Sequence, residues 1–230
     1  MDKSITIIGA GLAGLSAGCY GQMNGYRTQI FEMDNARPGG LCTTWKRKGY
    51  KIDGCIEFWM GSGPGTNFYH FWKELGAVQG RNIIHQEEWS RVEGAGGKVL
   101  IFYTDIDRLE QHMKELAPED TDVIEEFIEA ARAGVRLLKG MPPEKAPEVM
   151  GPVDGLKMMF TMLPLIRLLK KWKKVSIQEF AQRFKNPFLR EAFPFNGFIP
   201  DSPMSSMLTN LGQIQQRKWG YPLGGSLEVA

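Results

Sequence analysis

The stretch "SITIIGAGLAGLSAGCYG", residues 4–21, decides the fold. A short β-branched run at 5–8 reads as a buried parallel strand, and a helix fits from Leu12 onward. Glycines stand at positions 9, 11, 14, 18 and 21. Each one inside the helix costs about 1 kcal/mol relative to alanine, so something other than propensity must hold it there. Three of them have the spacing Gly9-x-Gly11-x-x-Gly14 directly after a strand and at the opening of a helix. In that context Gly9 permits the tight turn, Gly11 lets backbone approach a pyrophosphate, and Gly14 lets helix and strand pack closely. Gly18 extends that packing by a turn, while Gly21 has no assigned task. The amides of Leu12, Ala13 and Gly14 then face the negative phosphates.

Reading outward, the helix runs to about residue 24, Gly25 stops it, and a second strand follows at 27–32. This is a βαβ unit. Glu32 falls at the end of the second strand, 23 residues after Gly9, where a carboxylate can accept hydrogen bonds from both hydroxyls of an adenosine ribose. Its charge would repel a 2′-phosphate, which disfavours NADP. No Gly-Lys-Ser/Thr follows the glycines, so a P-loop is excluded. The loop "ARPGG" next supplies Arg37, Gly39 and Gly40. After it comes "GYKIDGCIEFWMGSGPG", predicted to be mostly irregular. An NAD dehydrogenase would pass at once into another helix; a long glycine-rich segment suits an extended flavin, so the pattern favours FAD.

Further along, a helix is predicted over 68–76, and "NIIHQEEWSRVEG" and "KVLIFY" read as two strands joined by the turn "GAGG". Thr104 and Asp107 predict a capping box for a helix carrying Ile106, Leu109, Met113 and Leu116 on one side. A longer amphipathic helix follows Pro118 and ends at Gly140 and the prolines after it. The acidic stretch 105–129 therefore reads as a solvated helix face rather than a cation site. Residues 156–174, beginning "LKMMFTMLPLIRLLKKW", are apolar and then strongly basic, too short and too charged to span a bilayer. Two readings stay open: a core helix with a solvated basic end, or a helix lying in the headgroup region of a membrane. Met158, Met159, Phe160, Met162, Phe188, Phe193, Phe195 and Phe198 read mostly as core. Ser176 and Glu179 cap another helix, and a last one spans 205–217, stopped at Gly220.

Composition excludes little but removes some partners. A net charge of +2 gives no argument for nucleic acid. Cys19, Cys42 and Cys55 lack metal-type spacing, and His70, His85 and His112 are scattered, so no metal site is expected. An odd number of cysteines favours reduced thiols and a cytoplasmic setting, with peripheral membrane contact through 156–174 under the second reading above. The apolar N-terminus imitates a secretory leader, but Asp2 and the fixed glycine spacing argue against one.

The series "IIGAGLAGLSAG", "IFEMD", "RPGGLCTTWKRKGYKIDGC" and "YPLGGSLEVA" resembles the flavin oxidoreductases of the phytoene desaturase type, which include carotenoid desaturases, carotenoid isomerases and retinol saturase and are distantly similar to amine oxidases. That resemblance is specific over 5–53, returns at 219–230 and is looser between. It implies an α/β fold: a Rossmann-type FAD-binding domain (1–75) interrupted by an α+β substrate domain (76–218) and resumed at 219–230, with the C-terminal part of the FAD domain missing. It implies FAD on Gly9, Gly11, Leu12, Ala13, Gly14, Glu32, Arg37, Gly39 and Gly40, with Gly224 and Gly225 at the second entry into the flavin domain. The expected activity is desaturation, dehydrogenation or isomerisation of a hydrophobic polyene such as a carotenoid or retinoid. An amine oxidase-like enzyme and a truncated, non-catalytic nucleotide-binding module are the alternatives. At Glu57, where many relatives carry histidine, a role at the flavin ring and a plain loop carboxylate stay equally open, so no catalytic residue is assigned.

Overall fold

The computed structural model describes residues 3–34, 37–55, 58–137, 145, 147–215 and 219–229. In chain order its elements are β1 (Ser4–Ile8), α1 (Leu12–Met23), β2 (Arg27–Phe31), β3 (Thr44–Arg47), β4 (Tyr50–Asp53), β5 (Trp59–Met60), α2 (Asn67–Glu74), β6 (Ile83–Ile84), β7 (Glu88–Glu93), β8 (Val99–Tyr103), α3 (Ile106–Leu116), α4 (Thr121–Leu137), α5 (Pro152–Trp172), α6 (Ile177–Ala181), α7 (Pro187–Ala192), α8 (Met204–Ile214) and β9 (Trp219–Pro222). They fall into two units, Met1–His85 with Trp219–Ala230, and Gln86–Lys218.

In the first unit β1 and β2 pair in parallel, from Ser4 opposite Arg27 to Ile8 opposite Phe31. Ile5, Ile7, Thr28 and Ile30 turn toward α1 and are half-buried, whereas the other face is open, with Ile8 82% exposed. The expectation of a fully buried strand is thereby corrected. Parallel strands are buried when helices cover both faces, and here, among the described residues, α1 covers one. The stretch predicted to be irregular contains β4, which pairs with β3 just before it in a hairpin closed by Lys48 (φ 49°) and Gly49 (φ 84°). Two consecutive positive φ values match the twist of a two-residue hairpin turn. β9 pairs antiparallel with both β5 and β6, giving the order β5-β9-β6. This pairing draws residues 76–85 into the first unit, ten residues beyond the expected boundary at 75, and places Gly220 inside a strand instead of at a helix stop.

The second unit packs the β7–β8 hairpin and helices α3 to α8 around one apolar core. Phe102, Phe127, Phe180, Phe184, Phe193 and Trp172 are fully buried in it, and their rings meet at 5.2–6.1 Å in edge-on and tilted pairs. The cap of α3 is Asp105, whose carboxylate accepts from the Asp107 and Arg108 amides, while Thr104 donates its hydroxyl to the Gln86 and Glu87 carbonyls. The predicted Thr104–Asp107 box is therefore corrected to a single cap at Asp105, one residue later. Ser176 and Glu179 do form a capping box at α6. Within the acidic stretch Asp107 and Glu110 pair with Arg132, and Glu110 and Glu125 with Lys114, whereas Asp120 is buried and accepts the amides of Lys185 and Asn186, a departure from the expected solvated face. Among the described residues no cluster of histidine, cysteine and acidic groups could hold a metal. The predicted end of α4 at Gly140 and its following prolines lies outside the described residues. Of the apolar side chains read as core, Phe193 is buried, but Met159, Phe160 and Phe195 are more than half exposed. No helix is long and apolar enough to cross a membrane, searched over the described residues.

Candidate nucleotide-binding site

The end of β1, the start of α1 and the end of β2 meet at the glycine loop. Gly9 takes φ 96°, a left-handed conformation open to glycine, and donates its amide to the Phe31 carbonyl at 2.7 Å. A Cβ on Gly14 would stand 2.0 Å from the Gly9 carbonyl oxygen, so helix and loop meet there backbone to backbone. Gly18 and Gly21 continue the same contact: a Cβ would come 3.0 Å from Ile30 Cδ1 at the first and 2.7 Å from Thr28 Cγ2 at the second. Gly21, unassigned from sequence, thus has the same packing role one turn further on.

Gly11 differs from these. It caps α1 with φ −71° and ψ 175°, an ordinary extended conformation, and a Cβ there would find no atom closer than Gly40 Cα at 3.9 Å. Among the described residues, neither backbone strain nor packing calls for glycine at 11. The space is left open beside the first amides of α1, those of Leu12, Ala13 and Gly14, which have no carbonyl four residues back within the helix. Such a terminus carries a partial positive charge and suits an anion.

The second glycine loop closes on the first. Gly39 (φ 125°) donates its amide to the Ala10 carbonyl at 2.7 Å and forms a parallel bridge with Gly11. Gly40 (φ 60°) comes so near that its Cβ would lie 3.1 Å from Gly11 Cα. Arg37 is exposed at the entry to this loop. The structure thus brings Gly9, Gly11, Leu12, Ala13, Gly14, Gly39 and Gly40 to one place.

Glu32 lies beside them but is already engaged. One carboxylate oxygen accepts the Ala10 amide at 2.5 Å, and the other accepts the amides of Met33 at 2.8 Å and Asp34 at 3.0 Å. The Asp34 and Ala10 amides hold its pKa below the usual carboxylate range. A carboxylate offers about four acceptor positions, and three are filled by backbone. A ribose diol must use the remaining position or displace the Ala10 amide. The expectation that Glu32 is free to serve both hydroxyls is corrected on this point. Glu57 lies outside the described residues.

A polar knot missed in the sequence ties the return segment to the β3–β4 hairpin. Asp53 accepts hydrogen bonds from Thr44 Oγ1 at 2.6 Å, from the Ser226 amide at 2.6 Å and Oγ at 2.9 Å, and from the Tyr221 hydroxyl. Burial pushes its carboxyl up, and these hydrogen bonds more than reverse that, bringing it down to about 2. The same bond to Asp53, together with burial, raises the Tyr221 phenol to about 12. Gly225 (φ 100°) sits against this knot, where a Cβ would lie 2.7 Å from Thr44 Oγ1 and 2.8 Å from Asp53 Oδ1. The pairing joins residues 168 to 173 positions apart. The signal available in the sequence was the Asp-Gly at the end of "KID", read there as loop.

Residues 7–75 match the family model described as an NAD(P)-binding Rossmann-like domain. The chain is 26% identical over 239 aligned positions to "Phytoene desaturase (lycopene-forming)" of Pantoea ananas, covering 97% of this chain and 44% of that protein. It is also 26% identical to the protein of the same name from a Paracoccus species, covering 86% of this chain and 38% of that one. It therefore spans under half the length of these relatives. Among solved structures, a Pyrococcus furiosus protein (TM-score 0.54, 16% identity) and an oxidoreductase from Methanosarcina mazei (TM-score 0.51, 19% identity) share the fold. Each alignment covers 98% of this chain, and 46% and 47% of the respective neighbour. These matches and the loop geometry support a dinucleotide cofactor of the nicotinamide or flavin type. Residues 7–75 are thus similar to NAD(P)-binding Rossmann-like domains, and the chain is similar over most of its length to a part of two phytoene desaturases.

Proposed function

We propose that this chain carries the ADP-binding half of an FAD site in an oxidoreductase acting on a hydrophobic polyene of the carotenoid or retinoid kind. The carrying observation is Gly11: a glycine that nothing among the described residues requires, beside helix-start amides without an intrahelical partner, keeps open a space a phosphate can enter. Residues 12–14 would hold the pyrophosphate, and the crossed loops at Gly11 and Gly39–Gly40 fix the path of the backbone around it. Glu32 orients the Ala10 turn and offers its remaining acceptor position to the adenosine ribose. When bound, FAD supplies the acceptor of hydride or electrons. The polyene class is supported by the names of the curated relatives, and FAD over NAD by the long glycine-containing segment from 39 to 65, which continues as a hairpin and loops instead of a second βα crossover.

The test is Gly11→Ser. Serine is a better N-cap than glycine, so α1 keeps or gains stability, while the new side chain fills the open space and takes the amides of residues 13 and 14 for itself. FAD affinity, read by absorbance after equilibrium dialysis, should fall 10- to 100-fold, the scale of one or two lost hydrogen bonds to a charged group, with the thermal midpoint unchanged or higher. Unchanged FAD affinity would sink the assignment. Wild-type protein that takes up NAD but no FAD would move the reading to a nicotinamide enzyme.

A further inference from the structure

Two of the three cysteines fall at matching places on the β3–β4 hairpin. Its register pairs Thr44 with Asp53, and the Gly54 amide donates to the Thr43 carbonyl at 2.8 Å, so Thr43 and Gly54 are the next pair outward. One further step in the same register sets Cys42 opposite Cys55. Hydrogen-bonded and non-hydrogen-bonded pairs alternate along an antiparallel ladder, and Thr43 with Gly54 is of the bonded kind. Cys42 and Cys55 therefore take a non-hydrogen-bonded position, where Cα atoms stand about 4.5 Å apart, inside the span that a disulfide bridges. Thr44 and Asp53, two steps inward on the same face, are a pair of that kind, and their side chains do meet, at 2.6 Å. The Thr43 amide turns back to the Leu41 carbonyl at 2.8 Å, which puts Cys42 at the centre of a three-residue turn, while Cys55 follows the end of β4. Bringing the two sulfurs together thus moves a turn and a strand end, not a paired strand. Burial pushes the Cys42 thiol up, and the charge of nearby Cys55 adds to that rise. Cys42 is buried and Cys55 exposed, and both are free thiols.

We propose that Cys42 and Cys55 are a redox-active pair that closes a disulfide across the base of the hairpin under oxidising conditions and opens again on reduction. Cys55, the exposed member, meets the oxidant. Its thiolate attacks one sulfur of a low-molecular-weight disulfide such as oxidised glutathione, forming a mixed disulfide and releasing one glutathione. The Cys42 thiolate then attacks the Cys55 sulfur and expels the second glutathione. The two protein thiols lose two electrons and two protons, and the glutathione disulfide takes up both and leaves as two thiols. The bond joins two features on which this unit depends. The Gly39 carbonyl, in the loop that bridges to Gly11, accepts the Cys42 amide at 3.1 Å, and the Thr43 carbonyl accepts the hydroxyl of Ser226 in the return segment at 2.9 Å. The proposal goes beyond the cofactor reading and is measured without flavin.

The full chain carrying Cys19→Ser, which removes the third thiol, is incubated with oxidised glutathione, quenched with acid, alkylated and mapped by mass spectrometry without reduction. The expected product is a monomer lacking two hydrogens, with Cys42 and Cys55 in one cross-linked peptide pair, and dithiothreitol should restore both thiols. Adding Cys42→Ser should stop the reaction at a glutathione adduct on Cys55. Adding Cys55→Ser instead should leave buried Cys42 at least about tenfold slower to react than Cys55. The bond closes a loop over residues 42–55 and should raise the unfolding midpoint by about 5–10 °C. The decisive measurement keeps both cysteines in place, so it does not depend on how a variant at buried position 42 folds. Two separate glutathione adducts, unreacted thiols, or bonds formed only between chains overturn the proposal. A cross-linked form that melts no higher than the reduced one overturns it too, because the bond would then form at the expense of the native hairpin.

Discussion

The two units are held together by different means. In Gln86–Lys218 a continuous cluster of aromatic and aliphatic side chains is removed from water, with five phenylalanines and a tryptophan at its centre. In the other unit the buried apolar cluster is Trp59, Ala77, Val78 and Val229. Its order comes from backbone lying against backbone at Gly14 and Gly40, and from the carboxylates of Asp53 and Glu32 gathering amides and hydroxyls. Burial is non-directional and tolerates modest shifts, whereas a glycine contact at 2.0 Å or a hydrogen-bond knot fixes positions to a fraction of an ångström. A dinucleotide loop needs the second kind of order. The contrast teaches that damage in one unit should appear as lost stability, and damage in the other as lost geometry.

The largest expected effect lies in the aromatic core. Phe193 is fully buried and touches the rings of Phe102, Phe127, Phe180 and Phe184 at 5.2–5.6 Å. Phe193→Ala should lower the free energy of unfolding by about 3–5 kcal/mol, read from urea titration by tryptophan fluorescence. A loss below about 1 kcal/mol would show that this cluster is loosely packed, and the contrast between the units would collapse.

Next in size is the knot at Asp53. Its folded pKa of about 2 lies below the value near 3.9 of an unfolded chain, so the stabilisation it gives is present above about pH 4 and fades as pH falls toward 2. Discounted for its partial exposure, this amounts to about 1–2 kcal/mol. Asp53→Asn should therefore flatten the fall of the unfolding midpoint between pH 4 and pH 2. An equally steep fall in the variant would place the acid-sensitive group elsewhere.

The readable parts of the sequence are those in which the cause is local. The glycines at 9, 14 and 18 announce themselves because backbone approach needs only the absence of a Cβ, and Ser176 with Glu179 because both partners of that cap lie within one turn. Thr104 misled for the converse reason. The carbonyls of Gln86 and Glu87, just before β7, take the threonine hydroxyl, and Asp105 caps α3 in its place. The Lys48–Gly49 turn lacks the Asn-Gly or Asp-Gly that marks a hairpin, so β4 falls in a stretch expected to be irregular and no strand is predicted over β3. Phe160 and Leu165 look alike in a composition window, and the turn of the helix alone sends one to solvent and the other to the core. Within the candidate site, the loop residues were legible. The three amides on Glu32 were not, because they depend on where the chain turns after β2 and on the parallel register that brings Phe31 beside the loop.

The smallest effect tests the close approach itself, at Gly21. Alanine there would gain about 1 kcal/mol in helix propensity, yet its Cβ would stand 2.7 Å from Thr28 Cγ2, on a stiff β-branched side chain held by a hydrogen bond from Gln22 Nε2 to its hydroxyl at 2.9 Å. Gly21→Ala alone should therefore destabilise by about 1 kcal/mol, the clash outweighing the propensity. Thr28→Ser deletes the offending methyl and keeps the hydroxyl acceptor, leaving Ile5 Cδ1 at 3.4 Å as the nearest remaining neighbour, an ordinary contact. In the double variant the propensity gain should reappear, so that the two substitutions couple favourably by about 1–2 kcal/mol. Strict additivity would mean that α1 can lift away from β2 without loss. Glycine at 21 would then serve no packing role, and the unit would be held less tightly by its backbone contacts than the contrast with the aromatic core requires.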